Sequence, residues 1–190
     1  MTIETPLAPA PAQVHVSGED LYELGHPGRV ELVKGEIVSL SPTGRMHGIV
    51  EGNIYFALRS FCEQSQLGEV VVGEAGVYTS RDPDTVRGMD VAFISRERLS
   101  QTESMGYLDV APELIVEVLS PHDRWSDVTE KLVEYFAIGV KLVWVADPRT
   151  RQIHVYTAPT QSQIFGPEDT LTGEPVLPGF SAPVSQLLAV

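Results

Sequence analysis

The sequence contains a single cysteine and no uninterrupted apolar segment of membrane-spanning length. Cys62 cannot form an internal disulfide, so the fold does not require an oxidising compartment. A spanning helix needs roughly 18 consecutive apolar residues, and the first residues lack the basic start and apolar core of a secretion signal. We therefore expect a soluble, cytoplasmic protein that does not bind a membrane.

Basic residues are also scarce. Thirteen Lys and Arg stand against 26 Asp and Glu, which gives a formal net charge of −13. A protein of this charge repels a polyanion at long range. Binding of nucleic acid would therefore need a local basic patch, or metal ions that neutralise clustered acids.

Several motifs with a known chemistry are missing. The sequence contains no CxxC, HExxH or GxSxG motif and no glycine-rich phosphate loop of the usual spacing. Zinc-binding, serine-hydrolase and nucleotide-binding functions thereby lose their main sequence signals.

The length and composition favour one domain. The chain has 190 residues, of which 43% are hydrophobic and 21% charged, as in a globular protein with a real core. Residues 1–13 contain Pro6, Pro9 and Pro11 among alanines and predict a disordered lead-in. We expect residues 14–190 to form a single domain.

The hydrophobic pattern predicts an α/β fold. Apolar residues at helical spacing indicate helices over residues 47–64 and after a loop at 121–125, where Asp127 is the expected N-cap. Residues 29–40 predict a hairpin about Lys34-Gly35. Strands expected near the centre of a mixed sheet, with helices on both faces, are 70–79, 89–94, 114–119 and 142–145. Residues 157–190 are rich in proline and glycine, and we expect them to pack irregularly.

Two carboxylates interrupt these strands. Glu117 lies within an apolar run that indicates a buried strand, where an ionised side chain is costly unless a cation or basic group pairs with it. Asp90 lies in the preceding strand, and adjacent strands bring such acids close together. Oxygen ligands of this kind suit Mg²⁺ or Mn²⁺. Alternatively, each acid pairs with an arginine or caps a turn.

Three further side chains are candidates. Lys131 lies at the margin of the apolar stripe of its predicted helix, so it either leans over the sheet towards a buried acid or snorkels to solvent. Glu31 is an acid in a strand, although alternation places polar residues on an exposed face. His47, at the start of the first long helix, contacts substrate phosphate or a water, or is a surface or capping histidine.

A group of short motifs between residues 17 and 188 resembles the Uma-type endonuclease family of the PD-(D/E)XK nuclease superfamily. The motifs are the run at 30–36, His47, Met89-Asp90-Val91, the run at 112–121, Lys131 with Tyr135, Gly139-Val140, Trp144-Val145 and Asp147-Pro148. The resemblance implies a restriction-endonuclease-like core. It also implies that Asp90 and Glu117 are metal ligands, Lys131 is the catalytic lysine and Glu31 is an auxiliary acid.

Two residues depart from the superfamily pattern. The lysine usually stands two residues after the second acid, where this chain has Leu119, so that Lys131 would act from the following helix. Met89 replaces the usual proline before Asp90, which should only alter the start of the strand.

The resemblance implies an Mg²⁺-dependent endonuclease that hydrolyses phosphodiester bonds, with DNA as the expected substrate and a homodimer as a possible assembly through Leu187 and Leu188. Two alternatives stay open at this point. One is a catalytically inactive nuclease-like module that binds nucleic acid or a protein partner, which the acidic charge and Leu119 favour. The other is a metal-dependent hydrolase of a small phosphate ester.

Overall fold

A computed structural model describes residues 15–25 and 28–190. The predicted lead-in at residues 1–13 lies outside these ranges. The helices are α1 (Gly18–Leu24), α2 (Arg45–Ser65), α3 (Arg96–Leu99), α4 (Trp125–Ala137) and α5 (Val184–Leu187). The strands are β1 (Val30–Val33), β2 (Glu36–Ser39), β3 (Gly68–Ser80), β4 (Thr85–Ser95), β5 (Leu114–Val118), β6 (Leu142–Asp147), β7 (Gln152–Ala158), β8 (Gln161–Phe165), β9 (Thr170–Gly173) and β10 (Leu177–Pro183).

The expected mixed sheet flanked by helices is confirmed. Seven of the eight strands of this sheet follow the order β2-β1-β4-β5-β6-β7-β8, and β3 pairs with β4 outside that path. Among the described residues, β5 and β6 form the one parallel pair, and the other pairs are antiparallel. Parallel neighbours need a crossover, and α4 is the crossover between β5 and β6. This connection carries α4 across the face of the sheet beside β5.

Each face of the sheet packs on one long helix. Val50, Ile54 and Leu58 of α2 pack in a cluster that includes Val116 of β5. On the other face, Val128, Leu132 and Tyr135 of α4 pack in a cluster with Ile115 of β5. Because side chains alternate along a strand, Glu117 has the parity of Ile115 and lies on the α4 side.

The hairpin at residues 29–40 is confirmed as β1 and β2. Lys34 and Gly35 both have positive φ, at 51° and 77°, as a two-residue turn of type I′ requires. The predicted position of β3 near the centre of the sheet was wrong, because its second edge carries no strand partner among the described residues. The N-cap of α4 is Arg124 and not Asp127, which lies in the first turn, where the helix dipole favours an acid.

The C-terminal part is more regular than its composition predicts. It contains β8 on the main sheet, the separate β9–β10 pair and α5. Leu187 and Leu188 are buried in the α2-side cluster, so these two side chains are not exposed to a partner subunit. None of the helices in the described part of the chain is long and apolar enough to cross a membrane.

Candidate active site

The two strand acids lie next to each other where β4 and β5 pair. The antiparallel register matches Val91 with Val116, and Asp90 and Glu117 are the next residues on each strand. Asp90 Oδ2 accepts a hydrogen bond of 2.6 Å from the backbone N–H of Val118. This bond fixes the Asp90 carboxylate beside the end of β5.

Two side chains of α4 donate hydrogen bonds to the Glu117 carboxylate. Tyr135 donates its hydroxyl to Glu117 Oε1 at 2.6 Å, and Lys131 Nζ donates to Oε2 at 3.1 Å. The two donors are four residues apart, so they lie on the same face of the helix. Lys131 therefore leans over the sheet towards a buried acid, which is one of the two orientations that its helical position allows.

The pKa values of Glu117 and Lys131 are both raised, but for different reasons. Burial raises the pKa of Glu117 to about 7, because desolvation and the neighbouring Asp90 outweigh the Lys131 ammonium and the Tyr135 hydrogen bond. Burial alone would lower the pKa of Lys131, but the carboxylates of Glu117 and Glu31 raise it above its ordinary value. Lys131 is thus an ammonium at neutral pH, a donor and not a base.

Glu31 reaches the same lysine from the hairpin. Its Oε1 lies 3.0 Å from Lys131 Nζ and accepts a hydrogen bond of 3.2 Å from the N–H of Gly88. Its Oε2 lies 3.0 Å from Arg87. Burial would raise the pKa of Glu31, but Lys131 and Arg87 hold it below its ordinary value. Glu31 is only 4% exposed, so alternation did not place it on a solvated face.

Arg87 ties this group to the rest of the fold. It makes a bidentate pair with Glu134 of α4, at 2.7 Å for both contacts, and Glu134 also accepts a hydrogen bond of 3.0 Å from Thr79 of β3. We call Arg87, Glu134, Glu31 and Thr79 the Arg87 clamp. It joins β1, β3, β4 and α4 beside the candidate site.

His47 is buried beside Asp90 and is not a surface histidine. It is 6% exposed, and its Nε2 lies 3.2 Å from Asp90 Oδ2. The other ring nitrogen, Nδ1, lies 3.6 Å from Glu51 Oε2, one helical turn along α2. Burial would lower the pKa of His47, but the neighbouring carboxylates of Asp90 and Glu51 raise it to about 9.

Most of these side chains line one cleft of about 720 Å³, namely Glu31, His47, Arg87, Asp90, Glu117, Lys131 and Tyr135. Seven carboxylates line it against three Lys and Arg side chains, and the three bases, Arg29, Arg87 and Lys131, each lie in ion pairs with acids. A local basic patch, one of the two features that binding of nucleic acid would need, is therefore not in this cleft. Its walls suit cations and not an unaccompanied phosphate backbone.

The structure brings Glu31, Asp90, Glu117, Lys131 and His47 into one group, and their chemical roles stay predictions. Leu119, in the usual position of the lysine, packs against the cluster on the α4 side of the sheet. Sequence reasoning missed Glu51, Arg87 and Glu134. Glu51 was detectable as the residue one helical turn after His47. No local pattern marks Arg87 and Glu134, which meet only in the folded chain.

Comparison with known proteins shows the family to which the chain belongs. The family model described as "Putative restriction endonuclease", Uma2, matches residues 19–185. The chain belongs to the Uma2 family. The Uma2 match covers every residue of the candidate site, from Glu31 to Tyr135. It also confirms the family resemblance read from the sequence motifs.

A solved structure has the same fold. It is the crystal structure of a "putative nuclease" from Anabaena variabilis, which is 17% identical in sequence and superposes with a TM-score of 0.73. The superposition covers 87% of this chain and 94% of the other. A search of curated proteins gave no match.

Proposed function

We propose that this Uma2 protein is a metal-dependent endonuclease that hydrolyses phosphodiester bonds, with DNA as its substrate. One observation carries the proposal. The Lys131 ammonium lies 3.1 Å from a Glu117 oxygen and 3.0 Å from a Glu31 oxygen, on the wall of a cleft that also contains Asp90. A partly buried lysine aligned by two acids next to a carboxylate pair suits a site that handles phosphate and water.

The residues present fit a hard divalent cation. Asp90 and Glu117 are the residues that would hold Mg²⁺ or Mn²⁺, because their oxygens are the ligands that these ions prefer. Glu117 uses each oxygen for one hydrogen bond, and a carboxylate oxygen can accept more than one. When bound, such an ion offsets phosphate charge and lowers the pKa of water.

The chain itself supplies the positioning. Lys131 Nζ can donate to a phosphate oxygen or to the attacking water while Glu31 keeps the ammonium over the cleft. Attack by water at phosphorus breaks one P–O bond and leaves a phosphate monoester and a hydroxyl group. Since Lys131 stays protonated, it stabilises negative charge that develops on the phosphate and does not remove the proton of the water.

The test is cleavage of plasmid DNA in Mg²⁺ and in Mn²⁺ by the wild-type protein and by Asp90→Asn, Glu117→Gln and Lys131→Met. We expect each substitution to lower the cleavage rate at least about 100-fold, in line with the loss of one preorganised charged group. Lys141→Met is the matched control, because Lys141 is exposed and does not line the cleft. Circular dichroism checks that each variant is folded.

Three outcomes would contradict the proposal. Wild-type cleavage by Glu117→Gln would remove Glu117 from the reaction. Hydrolysis of a nucleotide ester without cleavage of DNA would favour a small phosphate ester as substrate. Absence of Mg²⁺ and Mn²⁺ binding at millimolar concentration in calorimetry, together with absence of cleavage, would favour the non-catalytic module.

A further inference from the structure

We infer that His47, Glu51 and Asp90 form a second cation site, distinct from the Asp90–Glu117 pair and selective for a divalent transition-metal ion. One ligand atom from each residue lies within 4.8 Å of the other two. Ligands of one ion at 2.0–2.2 Å lie roughly 3–4 Å from each other, so the three side chains need only a small contraction. The inference goes beyond the proposed function. It rests on that function only for the first ion, which Asp90 and Glu117 would hold.

A buried nitrogen without a hydrogen bond points to a ligand. Among the described residues, His47 Nδ1 has no hydrogen-bond partner. The nearest carboxylate oxygen, Glu51 Oε2, is 3.6 Å away, which is too long for a hydrogen bond. A buried polar atom left unpaired costs about 1–3 kcal/mol unless something else satisfies it. An imidazolium that donates to Asp90 through its Nε2–H would therefore leave its Nδ1–H without an acceptor on the Glu51 side.

The other two side chains are held in place by backbone. Glu51 Oε1 accepts a hydrogen bond of 3.1 Å from the N–H of Gly73, in the bulge where the register of β3 shifts. Asp90 Oδ2 is fixed by the Val118 N–H. Each carboxylate thereby has an orientation that does not depend on His47, as a preformed site requires.

The donor set decides the class of ion. One imidazole and two carboxylates suit Mn²⁺ or Zn²⁺ better than Mg²⁺, which prefers oxygen ligands and water. Asp90 would be shared between the two sites. The second ion would also reduce the excess of acid in the cleft, where seven carboxylates face three Lys and Arg side chains.

The test counts Mn²⁺ ions by calorimetry on the full chain without nucleic acid. We expect two ions per wild-type chain, one in Glu51→Gln and His47→Gln, and one in Glu117→Gln. Glu63→Gln, on the same helix but paired with Arg59 outside the cleft, is the matched control and should keep two ions. The Mg²⁺ concentration that displaces Mn²⁺ should be at least ten times higher for the second site than for the first.

Wild-type Mn²⁺ stoichiometry and affinity in both Glu51→Gln and His47→Gln would overturn the inference, as would a single ion in the wild-type chain. The shift of the melting temperature by Mn²⁺ gives a second readout, which should shrink in the two variants if the site exists. Two ions without DNA cleavage would support this site and contradict the endonuclease. Cleavage of DNA by a wild-type chain that binds one ion would support the endonuclease and contradict this site.

Discussion

Tyr135 is the residue whose contribution is easiest to isolate. It is fully buried, and its hydroxyl donates to Glu117 Oε1 while its ring packs in the α4-side cluster. Burial raises its pKa well above the ordinary value, so it remains a neutral donor. Its hydroxyl orients a proposed metal ligand, and its ring stabilises the fold.

Tyr135→Phe should therefore separate the two contributions. We expect Mg²⁺ affinity and the cleavage rate to fall about 10-fold or more, as when a group that orients a metal ligand is removed. The free energy of unfolding should fall by only about 1 kcal/mol, since the ring remains. Calorimetry, a cleavage assay and urea unfolding measure the three quantities, with Tyr55→Phe on α2 as control. Unchanged Mg²⁺ affinity and rate would show that the hydroxyl is not needed.

Glu31 should make stability depend on acid. Its pKa in the folded protein lies below the ordinary 4.5, so its contribution is fully present above pH 4.5 and is lost as the pH falls through the folded value. Glu31→Gln should cost about 3 kcal/mol at pH 7, because it removes the buried carboxylate that pairs with both Lys131 and Arg87. This difference from wild type should shrink between pH 4.5 and pH 3 in urea unfolding.

The exposed Glu23→Gln is the control and should change stability by less than about 0.5 kcal/mol at either pH. A difference between wild type and Glu31→Gln that stayed constant from pH 7 to pH 3 would contradict the assignment of the ion pairs.

At the level of elements, the Arg87 clamp determines how α4 sits on the sheet. Glu134 and Glu130 both approach Arg87 from α4, but with different burial. The Glu134 side chain is 21% exposed and bidentate, whereas Glu130 is 56% exposed and 3.7 Å away. This contrast gives a matched pair of substitutions.

Glu134→Gln should destabilise the protein by about 2 kcal/mol, because it removes a bidentate partner from a buried guanidinium. Glu130→Gln should change stability by less than about 1 kcal/mol, as expected for an exposed ion pair. Urea unfolding of both variants tests this difference. Equal stabilities of the two variants would mean that the clamp does not anchor α4.

The sequence predicts an element well when neighbouring residues determine it, and poorly when distant residues do. The Lys34-Gly35 turn and the inward face of α4 depend on a few neighbouring residues, so pattern and spacing predicted them. The β9–β10 pair depends on partners that composition does not reveal, and proline and glycine concealed it. Arg87 and Glu134 are 47 residues apart in the sequence and meet only when β4 and α4 pack together, so no local pattern predicts their ion pair.

For the whole molecule, the net charge of −13 and the acid-lined cleft make the same demand on any polyanionic substrate. The phosphate backbone can approach only where cations have already reduced the charge. Ion binding and substrate binding should thus depend on each other. The single domain over residues 14–190, the homodimer and the cytoplasmic location remain predictions.

The two contacts of α4 with Glu117 have a consequence for how such a site can vary. Lys131 and Tyr135 end on the two oxygens of one carboxylate, which fixes both the rotational phase and the axial position of the helix. One residue inserted inside α4, between Val128 and Lys131, would turn these two side chains by about 100° relative to Val128, which packs on the sheet, and carry both away from the acid. The spacing of Lys131 and Tyr135 from Val128 is therefore as much a part of the site as its charged groups.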